Sequence, residues 1–204
     1  MNLKWMWYSF EKVIADPVCD QMIDLLKRSK KSRGTIGAFK DRKDLTKQEQ
    51  RTFDKTRKSH VFFSNLEWLY RYTHPWIHEA NRKAGWNVQW SLSEDCQLTR
   101  YGPKEHYAWH VDAWPEGYKG GPFDGLIRKL SSVLILNDAT EYTGGKLEFW
   151  NRPEWDKDNY TTSPSLSKKG SIIVFPSFVF HRVTPVTKGI RYSLTNWHCG
   201  KPYV

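Results

Sequence analysis

Cysteine is scarce in this chain: Cys19, Cys96 and Cys199 are the only three in 204 residues. An odd, widely spaced set with no Cys-x-x-Cys pair builds neither a disulfide framework nor a zinc-binding pattern. A reducing, cytoplasmic setting is the expectation that follows. Long apolar runs are also missing. None approaches the roughly 18 residues of a membrane-spanning helix, so no membrane partner is expected. The first residues, Met1 to Phe10, interleave Trp and Tyr. They lack the apolar core and small-residue cleavage site of a secretory signal. No internal repeat or low-complexity block is present. Acidic residues are in the minority, 22 against 32 Lys and Arg, which leaves a net charge of +10.

Aromatic residues, by contrast, are plentiful, at 15% of the chain with eleven Trp. That load excludes a disordered chain. The length favours one domain, residues 1–204, and suffices to bury a sizeable core. The positive balance is compatible with a nucleic acid, an anionic substrate or simple solubility. Much of it lies between Lys27 and Lys58, a stretch with little apolar periodicity that also holds Asp41, Asp44, Glu49 and Asp54. It reads as a long, partly mobile surface segment, either a solvated loop or lid or a surface for something acidic.

Residues 5–14 look like a strand. Asp16-Pro17 is a helix start, with Asp as N-cap and Pro at the first helical position. Val18, Met22, Ile23, Leu25 and Leu26 then recur at helical spacing to about Lys30. Val61 to Phe63 reads as a short strand. Leu66 to Ala84 reads as a helix, with Leu66, Leu69, Tyr70, Trp76, Ile77 and Ala80 as its buried stripe and Pro75 as a kink or break. From Trp86 onward short strand-like runs follow one another, broken by Gly, Pro, Asn and Asp: roughly 86–92, 96–101, 107–112, 131–137, 145–150, 171–175, 179–184 and 190–198. Helices followed by about eight strands imply an α+β protein, with residues 1–85 as support and 86–204 as a β sandwich or barrel.

His110 and Asp112 form a His-x-Asp pair on one of these strands, where residues i and i+2 share a face. His181, in an apolar run after Phe175-Pro176-Ser177, can supply a third arm. Two imidazoles and one carboxylate make the facial triad of non-haem Fe(II) oxygenases, which leaves positions open for a bidentate 2-oxo acid and O₂. A His-x-Asp pair also arises by chance, and a His in an apolar run is often a core residue. Arg191 favours the site. If Thr184 to Gly189 is a turn between antiparallel neighbours, Arg191 returns beside His181, with Ser193 on the same strand face. A guanidinium fork beside a hydroxyl suits a carboxylate.

The order of Tyr101-Gly-Pro, Tyr107, His110-Val-Asp112, then Gly144-Gly145-Lys-Leu-Glu-Phe, Lys169-Gly170-Ser-Ile-Ile-Val-Phe175-Pro176-Ser177 and His181-Arg-Val-Thr-Pro185-Val-Thr-Lys-Gly189-Ile-Arg191-Tyr-Ser193-Leu-Thr-Asn-Trp197 resembles the Fe(II)/2-oxoglutarate-dependent oxygenases. Within them it is most similar to the prolyl-hydroxylase-like group, including the bacterial PKHD-type hydroxylases. The likeness covers about residues 95–200 and extends upstream through Arg57-Lys58-Ser59 and the helix near 66–81.

This resemblance implies a double-stranded β-helix (a jelly-roll, cupin-like core) buttressed by N-terminal helices. It implies His110, Asp112 and His181 as iron ligands, and Arg191 as partner of the distal 2-oxoglutarate carboxylate. Tyr101 and Tyr107 match tyrosines of the co-substrate pocket, and Trp197 matches an aromatic beside the iron. Some prolyl hydroxylases place a Tyr where this chain has Leu134, so Ser193 or Thr195 would assist Arg191 instead. The implied cofactors are Fe(II), 2-oxoglutarate and O₂, with ascorbate as an accessory. The implied reaction is hydroxylation of an unactivated C–H, a prolyl residue of a protein or peptide first, with release of succinate and CO₂. The rivals are the same chemistry on a small molecule or nucleic acid, and a non-enzymatic β-sandwich binding module. Trp109 and Trp114 flank the triad and are candidates to shape a substrate mouth. The segment 34–56 and the insert 113–129 are candidates to close over a peptide. His106 reads as loop, with a substrate-side role as the alternative. His60, His74, His78 and His198 read as structural or surface residues, and Cys96 and Cys199 as buried, inert thiols. The oligomeric state is left open.

Overall fold

The computed structural model describes residues 5–34, 46–114, 116–150, 160–161 and 167–203. Two antiparallel sheets carry the fold. The larger runs, in spatial order, β1 (Tyr8–Phe10), β12 (Ile172–Pro176), β8 (Ile127–Ile135), β15 (Arg191–Gly200), β6 (Cys96–Tyr101), β4 (His60–Ser64) and β2 (Ser32–Arg33), with β5 (Leu92–Ser93) paired to the end of β15. The smaller runs β11 (Tyr160–Thr161), β10 (Leu147–Trp150), β13 (His181–Val183), β7 (His106–His110) and β3 (Arg57–Lys58). A two-stranded ribbon joins β14 (Val186–Gly189) to β9 (Tyr142–Gly144). This is the expected double-stranded β-helix, and its large sheet also takes in β1, β2 and β4 from the N-terminal part of the chain.

Period-two alternation sorts the side chains of the large sheet. Val133, Ile135, Ile173 and Phe175 face the interior and pack with Leu147, Phe149 and Val183 of the small sheet. Leu134, Ile172, Leu194 and Leu98 point the other way, onto helices. Because both faces are covered, β8 is buried almost throughout and shows no polar alternation.

The outer cover is made by α1 (Asp16–Arg28) and α3 (Glu67–Lys83). Cys19, Met22, Ile23 and Leu26 are the buried stripe of α1, at the helical spacing read from the sequence. Its N-cap is Ala15, one residue earlier than expected, with Asp16 in the first turn where a carboxylate complements the helix dipole. α3 buries Leu69, Thr73, Ile77 and Ala80. Pro75 is expected as a kink or break, and the helix runs through it without a break. The proline lies on the exposed face, while Leu69 and Ile77 before and after it are pinned in the core. Packing thus offsets the roughly 3 kcal/mol that an interior proline costs. Leu66, expected in the stripe, is the N-cap and is exposed.

Three other expectations need correction. The strand expected over 5–14 shortens to β1. Of the strand expected over 86–92, residues 86–91 are irregular, and sheet pairing begins only at β5. The basic segment contains α2 (Lys47–Thr56), which buries none of its residues and so shows no apolar stripe. What starts α2 is a capping box, with Thr46 Oγ1 accepting from the Glu49 N–H at 3.2 Å and Glu49 accepting from the Thr46 N–H at 2.8 Å. The middle of the candidate lid, 35–45, lies outside the described residues. Among those described, no helix is long and apolar enough to cross a membrane.

Gly170 illustrates how tightly the N-terminal segment is seated. Its φ is +78°, and an added Cβ would lie 2.1 Å from the Ile14 carbonyl oxygen. Its own carbonyl accepts from the Val13 and Ile14 N–H groups, both at 3.0 Å. Gly170→Ala should therefore destabilise the protein by about 1–3 kcal/mol, read as a lowered midpoint in thermal unfolding. A second prediction concerns acid. His198 is fully buried, its Nδ1 2.8 Å from Ser93 Oγ, and burial together with His74 and His78 pushes its pKa down to about 3. The unfolded chain takes up this proton below about pH 6.5, whereas the folded chain refuses it until about pH 3. Stability should fall across that window, and His198→Gln should make the fall shallower in urea titrations.

Candidate active site

Register brings the chemistry together. His110, the last residue of β7, pairs directly with His181, the first of β13. Each imidazole has its Nδ1 on the carbonyl two residues upstream: His110 on Ala108 at 2.8 Å and His181 on Val179 at 2.9 Å. A carbonyl only accepts, so both Nδ1 atoms carry the proton and both Nε2 lone pairs are free to bind a cation. Asp112 lies in the bend beyond β7. Its Oδ1 is 3.6 Å from His110 Nε2 and its Oδ2 is 3.6 Å from His181 Nε2. One ligand atom from each residue lies within 4.8 Å of the others, so the trio could hold a metal ion.

The electrostatics suit that task. Burial pushes the His110 pKa down to about 3, with His181 adding to the effect, so this imidazole is a neutral donor at pH 7. Burial alone would raise the Asp112 pKa, but His181, His110 and Arg128 outweigh it and bring it to about 2. Two imidazole nitrogens and one carboxylate oxygen match a divalent iron well, and none of the three cysteines lines the cavity to favour zinc.

Arg191 opens β15 on the opposite wall. The sequence suggested a hairpin joining it to His181, but the connection is a crossover. The chain passes through β14 and changes sheets, so the two residues face each other across the interior. Arg191 is only 1% exposed, and its Nη1 donates to Ser193 Oγ at 3.0 Å. Its Nη2 is buried without a partner. An unpaired guanidinium nitrogen in an apolar interior is costly unless an anion comes to it. Both implied groups thus have fitting residues: a donor trio for the metal and a waiting fork for a dicarboxylate.

His110, Asp112, His181, Arg191, Tyr101, Tyr107, Ser193, Thr195 and Trp197 all line one cavity of about 40 Å³. In the measure where a water takes 10–15 Å³, that is room for roughly three waters. The four β15 residues follow strict alternation, at 191, 193, 195 and 197. Tyr107 stacks on His110 with ring centroids 3.5 Å apart, and burial raises its pKa to about 12. The wall also includes Gln97, Val133, Leu147, Val183 and Arg57, which sequence reasoning left out as site residues. Arg57 donates to Gln97 Oε1 at 3.1 Å and lies over the Tyr107 ring. Gln97 could have been found by counting back in twos from Tyr101 along β6. Leu134, compared above with a pocket tyrosine, faces the helices, and the inward residue beside it is Val133.

Other candidates lie elsewhere. Trp109 packs on Trp150 at 5.4 Å and under Arg182, and Trp114 is exposed; neither lines the cavity. His106 begins β7 rather than lying in a loop, and its Nε2 meets the Lys55 carbonyl at 2.8 Å on the outer side. His74, His78 and His198 cluster with Trp90 away from the site. All three cysteines are buried and free.

Comparisons with known proteins bear on the family and the fold. The family model of the 2OG-Fe(II) oxygenase superfamily matches residues 96–199. A PKHD-type hydroxylase of Klebsiella pneumoniae is 33% identical over 100 residues, which is 49% of this chain and 41% of that protein. One from Azoarcus is 35% identical over 96 residues, 46% of this chain and 38% of its own length. The chain therefore matches only about two fifths of these relatives. Among solved structures, a prolyl-4-hydroxylase of Pseudomonas putida superposes with TM-score 0.63 at 18% identity, covering 98% of this chain and 95% of that one. A prolyl hydroxylase of Trichoplax adhaerens, in complex with a hypoxia inducible factor peptide fragment, gives 0.67 at 15% identity, covering 95% and 83%. The structural likeness speaks for the fold, and the family match over half of the chain, on the strands that carry the trio and Arg191, makes this protein a member of the 2OG-Fe(II) oxygenase superfamily.

Proposed function

We propose that residues 1–204 act as one Fe(II)- and 2-oxoglutarate-dependent dioxygenase unit that hydroxylates a prolyl residue of a protein or peptide. The observation that carries the reading is the unpartnered Nη2 of Arg191, buried in the same cavity as the His110, Asp112 and His181 trio. In this reading the trio holds the metal through both Nε2 atoms and one Asp112 oxygen. Arg191 takes the far carboxylate of 2-oxoglutarate in bidentate fashion, with Ser193 steering its fork and Thr195 beside it. Tyr101, Tyr107 and Trp197 form the walls that keep water from the reacting centre. Iron with O₂ and 2-oxoglutarate supplies the oxidising power, and 2-oxoglutarate leaves as succinate and CO₂. Hydroxylation is supported by the PKHD-type hydroxylase relatives, and a prolyl substrate by the prolyl hydroxylases whose fold resembles this one.

The trio and the fork should separate kinetically. His110→Ala, Asp112→Ala and His181→Ala should each abolish succinate release from 2-oxoglutarate, assayed with Fe(II) and with ascorbate as accessory reductant. Arg191→Met should chiefly raise the KM for 2-oxoglutarate, by about 30-fold or more, as expected for about 2 kcal/mol or more of lost ion pairing. Full turnover by the His181→Ala protein would refute the ligand assignment. The substrate is tested by mass spectrometry of a peptide library after turnover. Products 16 Da heavier on proline support the proposal, and steeply salt-dependent binding and oxidation of DNA or RNA would replace it.

A further inference from the structure

Asp112 stands just past the end of β7, so no sheet pairing on its own strand holds it. It is held from across the barrel by Ser131 of β8 and by Ser177, the first residue after β12. The Ser177 carbonyl accepts from the Asp112 N–H at 2.8 Å and from the Ala113 N–H at 2.9 Å. Ser131 Oγ lies 2.8 Å from Asp112 Oδ2 and 2.9 Å from Ser177 Oγ. Ser131 and Ser177 are fully buried, and Asp112 is 5% exposed.

Hydrogen-bond counting fixes the direction of this chain. An ionised carboxylate can only accept, so the single Ser131 proton goes to Oδ2. Ser131 must then accept from Ser177, whose hydroxyl is the donor at the head of the line. Two buried serines in mutual contact share one hydrogen bond and leave the second hydroxyl proton without an acceptor. These two pass their polarity on to a carboxylate that faces the cavity. A hydroxyl that has accepted a bond donates a stronger one, so the two links reinforce each other.

We propose that Ser177 and Ser131 form a hydroxyl relay that positions Asp112 for metal binding. This rests on the functional reading above. The relay commits Oδ2 to a hydrogen bond and fixes the carboxylate plane, which leaves Oδ1, on the His110 side, as the oxygen free to bind a cation. Ser131 and Ser177 are positioning residues, and they act through Asp112. Outer partners of this kind commonly change metal affinity by about 10–100-fold.

The test reads metal binding without turnover, by the loss of the free Mn(II) electron paramagnetic resonance signal as the metal-free protein is titrated. Ser131→Ala should weaken Mn(II) binding by about 10–100-fold. Ser131→Thr, which keeps the hydroxyl, should bind within a few-fold of wild type. Ser177→Ala retains the backbone clamp and should weaken binding less than Ser131→Ala. Ser177→Ala should add nothing further in the Ser131→Ala background, because its only route to the carboxylate is then gone. Circular dichroism melting of each variant shows that it is folded at the titration temperature. Wild-type affinity in Ser131→Ala, or an undiminished effect of Ser177→Ala in that background, overturns the relay while leaving the ligand trio standing. Failure of the wild-type protein to bind Mn(II) overturns the functional reading, and the relay with it.

Discussion

The pairing of His181 with His110 across β13 and β7 is the constraint on which the site depends. It sets two imidazoles side by side at the ends of their strands, and the neighbouring bend then brings Asp112 against both. A slip of one residue in this register would turn one imidazole to the other face of the sheet. Everything else in the interior is arranged around that pair. Tyr107 stacks on one ring, Phe175 packs edge-on against the other, and Arg191 waits on the facing sheet. The apolar packing of the two sheets lowers the local dielectric. It therefore makes the imidazoles, the carboxylate and the unpaired guanidinium nitrogen so consequential.

Much of this was written in residue order and spacing. The helical stripe of Met22, Ile23 and Leu26 and the alternation of Arg191 with Ser193 are local patterns, and local patterns survive in a one-dimensional reading. So was the grouping of His110, Asp112, His181 and Arg191, because the order and spacing of the motifs around them resemble one family. What was not legible depended on other parts of the chain. β14 carries the chain from one sheet to the other between His181 and Arg191, and nothing in Thr184 to Gly189 distinguishes that passage from a hairpin. Pro75 signals a kink or break, and the burial of Leu69 and Ile77 carries the helix through it. α2 lacks an apolar face, so its one available signal was the Thr46 and Glu49 capping box, which sits inside a run of charges.

The two serines were missed for a related reason. Ser131 lies in an apolar strand and Ser177 follows a proline, where small polar residues ordinarily mean only a turn or a tight packing position. Their meaning comes from what faces them, a carboxylate in the bend beyond β7. Arg57 is similar. It sits in a basic stretch, between exposed Lys55 and half-buried Lys58, while its own side chain is buried against Gln97 and Tyr107.

The placement of Arg191, Ser193, Thr195 and Trp197 on β15 has a consequence for how the molecule comes apart. β15 is flanked on both sides, by β8 and by β6, with β5 joined at its end. A strand so enclosed exchanges its amide hydrogens only when the whole sheet opens, whereas ends and edges fray on their own. One wall of the cavity therefore belongs to the last cooperative unit to be lost. Local breathing can loosen the rim while the anchor wall stays whole, so partial denaturation should not yield a population that keeps its fold yet lacks that wall.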